Sequence, residues 1–159
     1  MRFRLSTLIL LCILIGGCIP SGTFEKSIAI PSHKWKSGFV PTFKFEIKDT
    51  NSSYQLSTLL RHTDAYPFSN IWINIITKTP SGKISKQKVE LPLAQDDGQW
   101  TGRGMGEVYE HKISLTKSGS TKFNQQGTYE VGFEQIMRMD PLPEMMSIGL
   151  EVNKNRASQ

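Results

Sequence analysis

The strongest β-type stretch in this sequence is Ile71-Trp72-Ile73-Asn74-Ile75-Ile76-Thr77. β-Branched and aromatic side chains, which favour extended backbone, fill nearly every position of it. A short and almost continuous apolar run of this kind is typical of a strand in the interior of a sheet. The stretch therefore predicts a central strand, with the Trp72 side chain in the core.

Segments on both sides of this stretch also have the pattern of strands. Residues 43–48 and 127–136 alternate between inward and outward types, which is the period-two signature of half-buried strands. Turn signals such as Pro80-Ser81-Gly82 and Asp96-Asp97-Gly98 separate the segments. Further strands are expected at residues 26–30, 54–60, 84–93, 111–115 and 147–152, with a short one that opens at Trp100.

About eight or nine short strands without a long helical period predict an all-β fold. We expect a single antiparallel β-sandwich, jelly-roll or immunoglobulin-like, over residues 24–153. Residues 66–70 and 141–146 are the segments in which a helical turn would fit. Three alternating glycines predict a loose or bulged stretch between two strands: Gly102, Gly104 and Gly106.

The N-terminal residues have the parts of a secretory signal peptide. Arg2 and Arg4 precede an apolar run over residues 5–15, and small residues follow it before Cys18. The run is shorter than the roughly 20 apolar residues that a membrane-spanning helix needs. Its ending, Ile15-Gly16-Gly17-Cys18, resembles the lipobox of bacterial lipoprotein precursors.

The lipobox resemblance implies that Cys18 is lipidated and becomes the first residue of the mature chain. Residues 1–17 would then be the signal peptide and residues 18–23 a short lipidated tether that holds the domain at a membrane. An ordinary secreted protein and an uncleaved N-terminal anchor are the alternatives. Residues 154–159 are expected to form a disordered tail.

Charge and cysteine content exclude several classes of protein. The formal net charge is +5, of which Arg2 and Arg4 contribute two, and this is too small and too evenly spread to predict nucleic-acid binding. Cys12 lies in the removed run, so Cys18 is the one cysteine of the mature chain, and neither a disulfide nor a thiolate metal site is expected. Three nearby lysines predict a solvated strand edge: Lys83, Lys86 and Lys88.

No group of residues has the spacing of a catalytic or metal-binding site. The histidines do not pair at metal-ligand spacing, and His62 with Asp64 is more simply a polar pair at a strand end. The glycine-rich residues 102–106 lack the helix that completes a phosphate loop, and no spaced acidic ligands for calcium follow Asp96-Asp97. We therefore expect no catalytic residue, metal, cofactor or small-molecule ligand.

Aromatic residues before the central strand are the best candidates for a contact surface. Tyr66 and Phe68 flank a proline, and exposed aromatics in loops are typical anchors of protein interfaces. We select Tyr66, Phe68 and Arg61 as candidate partner-binding residues. The same aromatics, together with Trp72 and Trp100, leave a glycan-binding sandwich module as the alternative function.

The segment over residues 60–72, LRHTDAYPFSNIW, resembles the GldH family, the gliding-motility lipoproteins of Bacteroidota. The resemblance covers nearly all of the predicted domain. It continues through residues 79–83, 91–94, 98–102, 127–129, 134–138 and 148–152.

This resemblance implies an envelope lipoprotein linked to gliding motility and to the associated protein-secretion machinery. Its expected partners are the membrane, through the N-terminal lipid, and envelope proteins of that apparatus. No catalytic residue can be carried over, so a non-enzymatic role in assembly is expected. Residues 19–22 lack the acidic cluster that surface-exported lipoproteins of this phylum commonly have, which favours a periplasm-facing protein.

Overall fold

The computed structural model describes residues 23–116 and 118–155. In this part of the chain, twelve strands and one 3₁₀ turn, Pro31–His33, make up the regular structure. The predicted signal peptide, Cys18 and residues 19–22 of the predicted tether lie outside the described residues, whereas Thr23, assigned to the tether, is the first residue of β1. The strands are β1 (Thr23–Ala29), β2 (Lys34–Trp35), β3 (Thr42–Ile47), β4 (Ser53–Thr63), β5 (Asn70–Lys78), β6 (Ile84–Pro92), β7 (Arg103–Met105), β8 (Val108–Ser114), β9 (Thr121–Lys122), β10 (Gly127–Gln135), β11 (Leu142–Pro143) and β12 (Met145–Lys154).

The strands form two main sheets. The first sheet has the order β1-β12-β4-β8-β7, with β9 on the free part of β4, and the second has the order β3-β10-β5-β6. Neighbouring strands are antiparallel throughout, and a small pair of β2 with β11 lies beside the two sheets. The all-β antiparallel sandwich that the sequence predicts is confirmed.

The core lies between the inner faces of the two sheets. β3 alternates strictly between exposed and buried residues, so that Phe43, Phe45 and Ile47 point inward. Fully buried Ile148 and Leu150 on β12 face them from the first sheet. Burial of each such side chain stabilises the fold by about 1.5–3 kcal/mol, so packing alone can hold the domain together.

The central strand is confirmed, but the predicted place of Trp72 is wrong. β5 lies between β10 and β6, as expected for the most apolar stretch. Side chains alternate across a strand, and since Ile71 and Ile73 are fully buried, Trp72 must point to the outer face, where it is half-buried. A continuous apolar run hides this alternation, which is why the sequence suggested a core position.

Most other differences from the sequence concern short elements. The additional strands β2, β7, β9 and β11 have two or three residues each, too few to show a period. Trp100 forms an isolated bridge with Ala94 instead of opening a strand. The helical turn lies at Pro31–His33 and at neither predicted segment, and Lys154, assigned to the tail, is the last residue of β12.

The sandwich has two distinct ends. β1 begins at Thr23, opposite Asn153 of β12, and we call this the proximal end. β1 finishes at Ala29 and β4 finishes at Thr63, on the opposite side of the sheet, which we call the distal end. The chain therefore enters the sandwich at the proximal end.

Two contacts between the sheets show which part of the second sheet lies at each end. At the proximal end, the Phe24 ring lies 5.8 Å from the Phe45 ring. At the distal end, the Tyr66 hydroxyl donates to Asn70 O at the start of β5, 3.0 Å away. Trp72, two residues further along β5, is therefore in the distal half of the outer face.

Candidate functional site

Two buried histidines pair with each other in the distal half of the core. His62 on β4 and His111 on β8 place their Nε2 atoms 2.9 Å apart. His62 Nδ1 is 2.7 Å from Thr63 O, which can only accept, so Nδ1 carries the hydrogen and Nε2 accepts from His111. Burial lowers the pKa of His62, and burial together with the nearby His62 lowers the pKa of His111 to about 4. Both rings are therefore neutral near pH 7.

Aromatic rings and a glycine enclose this histidine pair. The ring centroid of His62 lies 4.5 Å from that of Trp100 and 5.2 Å from that of Tyr66. A Cβ atom on Gly102 would lie 2.8 Å from His111 Nε2, so this position closes over the pair only as glycine. The pair supports the distal end of the core from inside, and His111 and Gly102 also border a depression on the first sheet.

The sequence pairing of His62 with Asp64 does not form. Asp64 is exposed, whereas His62 points inward to a partner 49 positions away. Within the described ranges, no group of three or more His, Cys, Asp and Glu side chains could hold a metal ion. The signal for the histidine pair lies in the register of β4 with β8, which sequence periodicity does not provide.

The three candidate partner-binding residues lie in different places. Tyr66 is 3% exposed, so its ring supports the distal loop from inside. Phe68 is half-buried and reaches the outer face of the second sheet, with its ring 5.8 Å from that of Tyr66. Arg61 is on the outer face of the first sheet, where it forms an ion pair with Glu110. Arg61 and Phe68 therefore belong to opposite faces.

A groove runs beside Trp72 on the outer face of the second sheet. Its volume is about 360 Å³, and we call it the Trp72 groove. The Trp72 backbone NH donates to Met137 Sδ, and Ile136 NH donates to Trp72 O, which fixes the segment after β10 against β5. The residues that line it are Phe68, Trp72, Lys88, Ile136, Met137 and Arg138.

The charged residues of this groove differ from those on the rest of the face. Lys88 Nζ lies 4.6 Å from the centre of the Trp72 ring, a cation–π contact. Across the described part of the chain, neither Lys88 nor Arg138 forms a salt bridge with a carboxylate. The groove thus combines an apolar floor with two cations and no acid.

Elsewhere on the same face, charges of opposite sign pair. Lys44 Nζ is 3.0 Å from Glu130, and Lys86 Nζ is 2.7 Å from Glu134. Hydrogen bonds from these two lysines lower the pKa values of their glutamates, so both acids stay ionised. The sequence placed Lys88 in the same solvated row as Lys86. That prediction is confirmed, because β6 is an edge strand of the second sheet and both lysines are exposed on it; Lys88 in addition lies over the Trp72 ring.

A larger depression, of about 670 Å³, lies beside β8 on the first sheet. Its charged lining residues include Glu110 and Lys112, which pair with Arg61 and Glu151 respectively. Arg103, also in the lining, forms no salt bridge in the described part of the chain, so this depression has one unpaired cation where the Trp72 groove has two.

The family model described as GldH lipoprotein matches residues 22–152. The chain belongs to the GldH lipoprotein family. The match spans both sheets, so the family resemblance noted in residues 60–72 is confirmed for the whole domain. In the described residues, no helix has the length and apolar content to cross a membrane.

Two curated relatives of this GldH-family chain come from Bacteroidota. The gliding motility lipoprotein GldH of Flavobacterium johnsoniae is 30% identical over 139 residues, covering 87% of this chain and 84% of the relative. The gliding motility lipoprotein GldH homolog of Christiangramia forsetii is 26% identical over 160 residues, covering 96% of each chain. The chain thus has nearly the full length of both relatives.

Two solved structures that match this GldH-family chain have low sequence identity to it and TM-scores below 0.5. A carbohydrate-binding module specific for non-crystalline cellulose has a TM-score of 0.46 at 11% identity, covering 84% of this chain and 75% of that one. A family 35 carbohydrate-binding module from Clostridium thermocellum has a TM-score of 0.36 at 14% identity, covering 80% of this chain and 90% of that one. No ligand of these modules is carried over at this level of similarity.

Proposed function

We propose that this GldH-family protein is a lipid-anchored, non-enzymatic component of the cell envelope. It acts by binding other envelope proteins of the gliding-motility and associated secretion machinery, from the periplasmic side of a membrane. Membership of a family of gliding motility lipoproteins is the observation that carries this proposal. The lipobox-like residues before Cys18 support the anchor.

The covalent connection limits how the domain stands on the membrane. Four residues lie between Cys18 and Thr23, so the two Cα atoms are at most about 17 Å apart along an extended chain. β1 then runs about 20 Å towards the distal end. Two or more acyl chains on Cys18 would hold the protein stably, whereas one chain gives only marginal attachment. The distal end is therefore the part offered to partners in the periplasm.

Several features of the described residues support a binding role over catalysis. The two histidines that lie within reach of each other are buried, neutral and enclosed by aromatic rings. Acidic residues such as Glu130 and Glu134 are held by lysines on an open face. A general acid or base needs a titrating group poised near the working pH. The pKa of His111, which borders a depression on the first sheet, is lowered to about 4, and the pKa values of Glu130 and Glu134 are lowered by their lysines.

The alternative function, a glycan-binding module, has one feature in its favour and one against it. Trp72 is half-exposed on an outer sheet face, where a sugar ring could stack. The Lys88 ammonium group already lies over that ring. A contact of this kind competes with sugar stacking, so we favour the protein-binding function.

Metabolic labelling tests the anchor in the intact cell. Cells that grow with an alkyne analogue of palmitate should label the wild-type protein and a Cys12→Ala control, because Cys12 leaves with the signal peptide. The Cys18→Ala variant should not be labelled, since it lacks the acceptor thiol. Undiminished labelling of Cys18→Ala would refute the anchor.

Deletion of the coding sequence tests the proposed role in motility and secretion. We expect loss of colony spreading or of secreted proteins, with recovery by the wild-type chain and by Cys12→Ala but not by Cys18→Ala. Normal spreading together with a normal set of secreted proteins in the deletion strain would contradict the proposed function.

A further inference from the structure

We infer that the Trp72 groove is the docking site for an acidic segment of a partner envelope protein, one that also carries an apolar side chain. This inference rests on the proposed function and adds to it the place of contact and the chemistry of the partner. The groove is defined by the same six residues as above: Phe68, Trp72, Lys88, Ile136, Met137 and Arg138.

Charge complementarity points to an acidic partner. On the outer face of the second sheet, Glu130 and Glu134 form salt bridges with lysines. Lys88 and Arg138 stand apart, since neither forms a salt bridge with a carboxylate in the described part of the chain. An incoming carboxylate meets two cations here without first breaking an existing pair.

The nearest acidic residue on the neighbouring strand does not neutralise the groove. Glu90 is opposite Trp72 on β6, but its carboxylate accepts a hydrogen bond from the Asn70 amide and, in the described part of the chain, forms no salt bridge with either cation of the groove. Glu134 is bound by Lys86 and by the Asn74 amide. Two cations of the groove therefore stand beside one acid, Glu90, with which neither forms a salt bridge in the described part of the chain.

The apolar floor points to a partner that also inserts a side chain. Phe68 and Met137 are partly buried against the core and leave part of their surface to the groove. Tryptophan and arginine are the residue types most enriched at the energetic centres of protein interfaces, and methionine adapts to the shape of what it contacts. A volume of about 360 Å³ is large enough to take one or two side chains of a partner.

The position of the groove suits a separate protein better than the membrane that holds the anchor. Trp72 and the end of β10 lie in the distal half, where Gln135 is opposite Ile73. Thr23, where the tethered segment joins the sandwich, is at the proximal end. The strand β1 alone separates the two ends by about 20 Å. A partner that stands in the periplasm can reach the groove without meeting the lipid surface.

A binding experiment with defined peptides tests the charge requirement. The lipidated protein in neutral detergent micelles is titrated against a fluorescein-labelled peptide of sequence Glu-Phe-Asp-Leu-Glu-Phe-Asp, by fluorescence anisotropy. We expect binding that weakens with added salt and that falls about tenfold or more in a Lys88→Glu, Arg138→Glu double variant. Both changed side chains are exposed, so the variant should keep the wild-type melting temperature.

A matched control separates the groove from general charge. Lys83→Glu changes the charge in the same direction at the other end of the β6 hairpin, and it should leave the affinity within about twofold. A peptide with lysine in place of each acid should not bind. Equal binding of the acidic and basic peptides, or an unchanged affinity in the double variant, would overturn the inference.

Two further outcomes distinguish the inference from its alternatives. Binding of alginate oligosaccharides in place of the acidic peptide would overturn it in favour of a glycan site. In cells, a Lys88→Glu, Arg138→Glu strain that spreads and secretes normally would overturn the docking site, while the failure of Cys18→Ala to restore the deletion strain still supported the proposed function. A deletion strain without any defect would instead contradict the proposed function, whatever the peptides showed.

Discussion

His62 and His111 show how far a single residue can be assigned from sequence. Residue type and spacing suggest at most a polar pair of His62 with Asp64, its neighbour along the chain. The real partner is on β8, which is hydrogen-bonded to β4 in a register that brings Leu60 opposite His111. Which residues meet across a sheet depends on that register, and periodicity along one strand does not contain it.

The same histidines predict how stability depends on pH. An unfolded histidine has a pKa of 6.5, whereas the pKa of folded His111 is about 4. Below pH 6.5 the unfolded chain therefore binds a proton that the folded chain does not, so the free energy of unfolding should decrease as the pH falls towards about 4. For His111 alone the loss is about 3 kcal/mol, and the lowered pKa of His62 acts in the same direction.

Urea unfolding at a series of pH values measures this loss. A His111→Gln variant should have a shallower dependence on pH in this window, because the buried titrating group is gone. His33→Gln removes an exposed histidine and should keep the wild-type slope. An equal slope in wild type and His111→Gln would exclude the buried pair as its source.

Gly102 gives a second prediction at the scale of one residue. A methyl group there would lie 2.6 Å from Glu110 O and 2.8 Å from His111 Nε2, and the first of these atoms is backbone that cannot turn away. Gly102→Ala should therefore destabilise the domain by about 1–3 kcal/mol. Gly38→Ala is the control, because its added methyl group would meet nothing within 4 Å. Thermal unfolding compares the two variants, and equal melting temperatures would rule out the close approach.

At the scale of elements, the long strands could be predicted and the short ones could not. The alternation of β3 and the apolar character of β5 were sufficient to place both strands. Strands of two or three residues are defined by their pairing: β9 pairs with the first residues of β4, and β11 pairs with the two residues of β2. Nothing in their own sequence distinguishes them from loops. The error at Trp72 has a related cause, since an apolar run on a half-buried strand conceals which side chains face out.

The alternation of β5 predicts a large difference between two of its isoleucines. Ile73 is fully buried between the sheets, whereas Ile76 lies half-buried on the outer face. Ile73→Ala should lower the free energy of unfolding by about 2–5 kcal/mol, because it leaves a cavity in the core. Ile76→Ala should cost about 1 kcal/mol or less. Urea unfolding of both variants checks the register, and a reversed order would mean that β5 presents its other face to the core.

At the scale of the whole molecule, the sequence was most informative about the fold class and the family, and least informative about which residues meet on the surface. The lipobox-like segment, the strand pattern and the family resemblance each follow from contiguous residues. The Trp72 groove combines parts of four segments: the loop before β5, β5 itself, the middle of β6 and the chain after β10. Phe68 was selected from sequence for its type, but Lys88 and Arg138 acquire their significance only once folding leaves them without acidic partners.

The long pairing of β1 with β12 has a mechanical meaning for a tethered protein. With a lipid on Cys18, β1 is the first strand that a pull on the tether reaches, and it is bonded to β12 from Thr23 to Ala29. β12 is in turn bonded to β4 along nearly its whole length. Hydrogen bonds between antiparallel strands lie across the strand direction, so a force between the tether and a partner at the distal end would load them in shear. Under shear, the hydrogen bonds between β1 and β12 would have to break together, whereas a force perpendicular to the strands would break them one at a time.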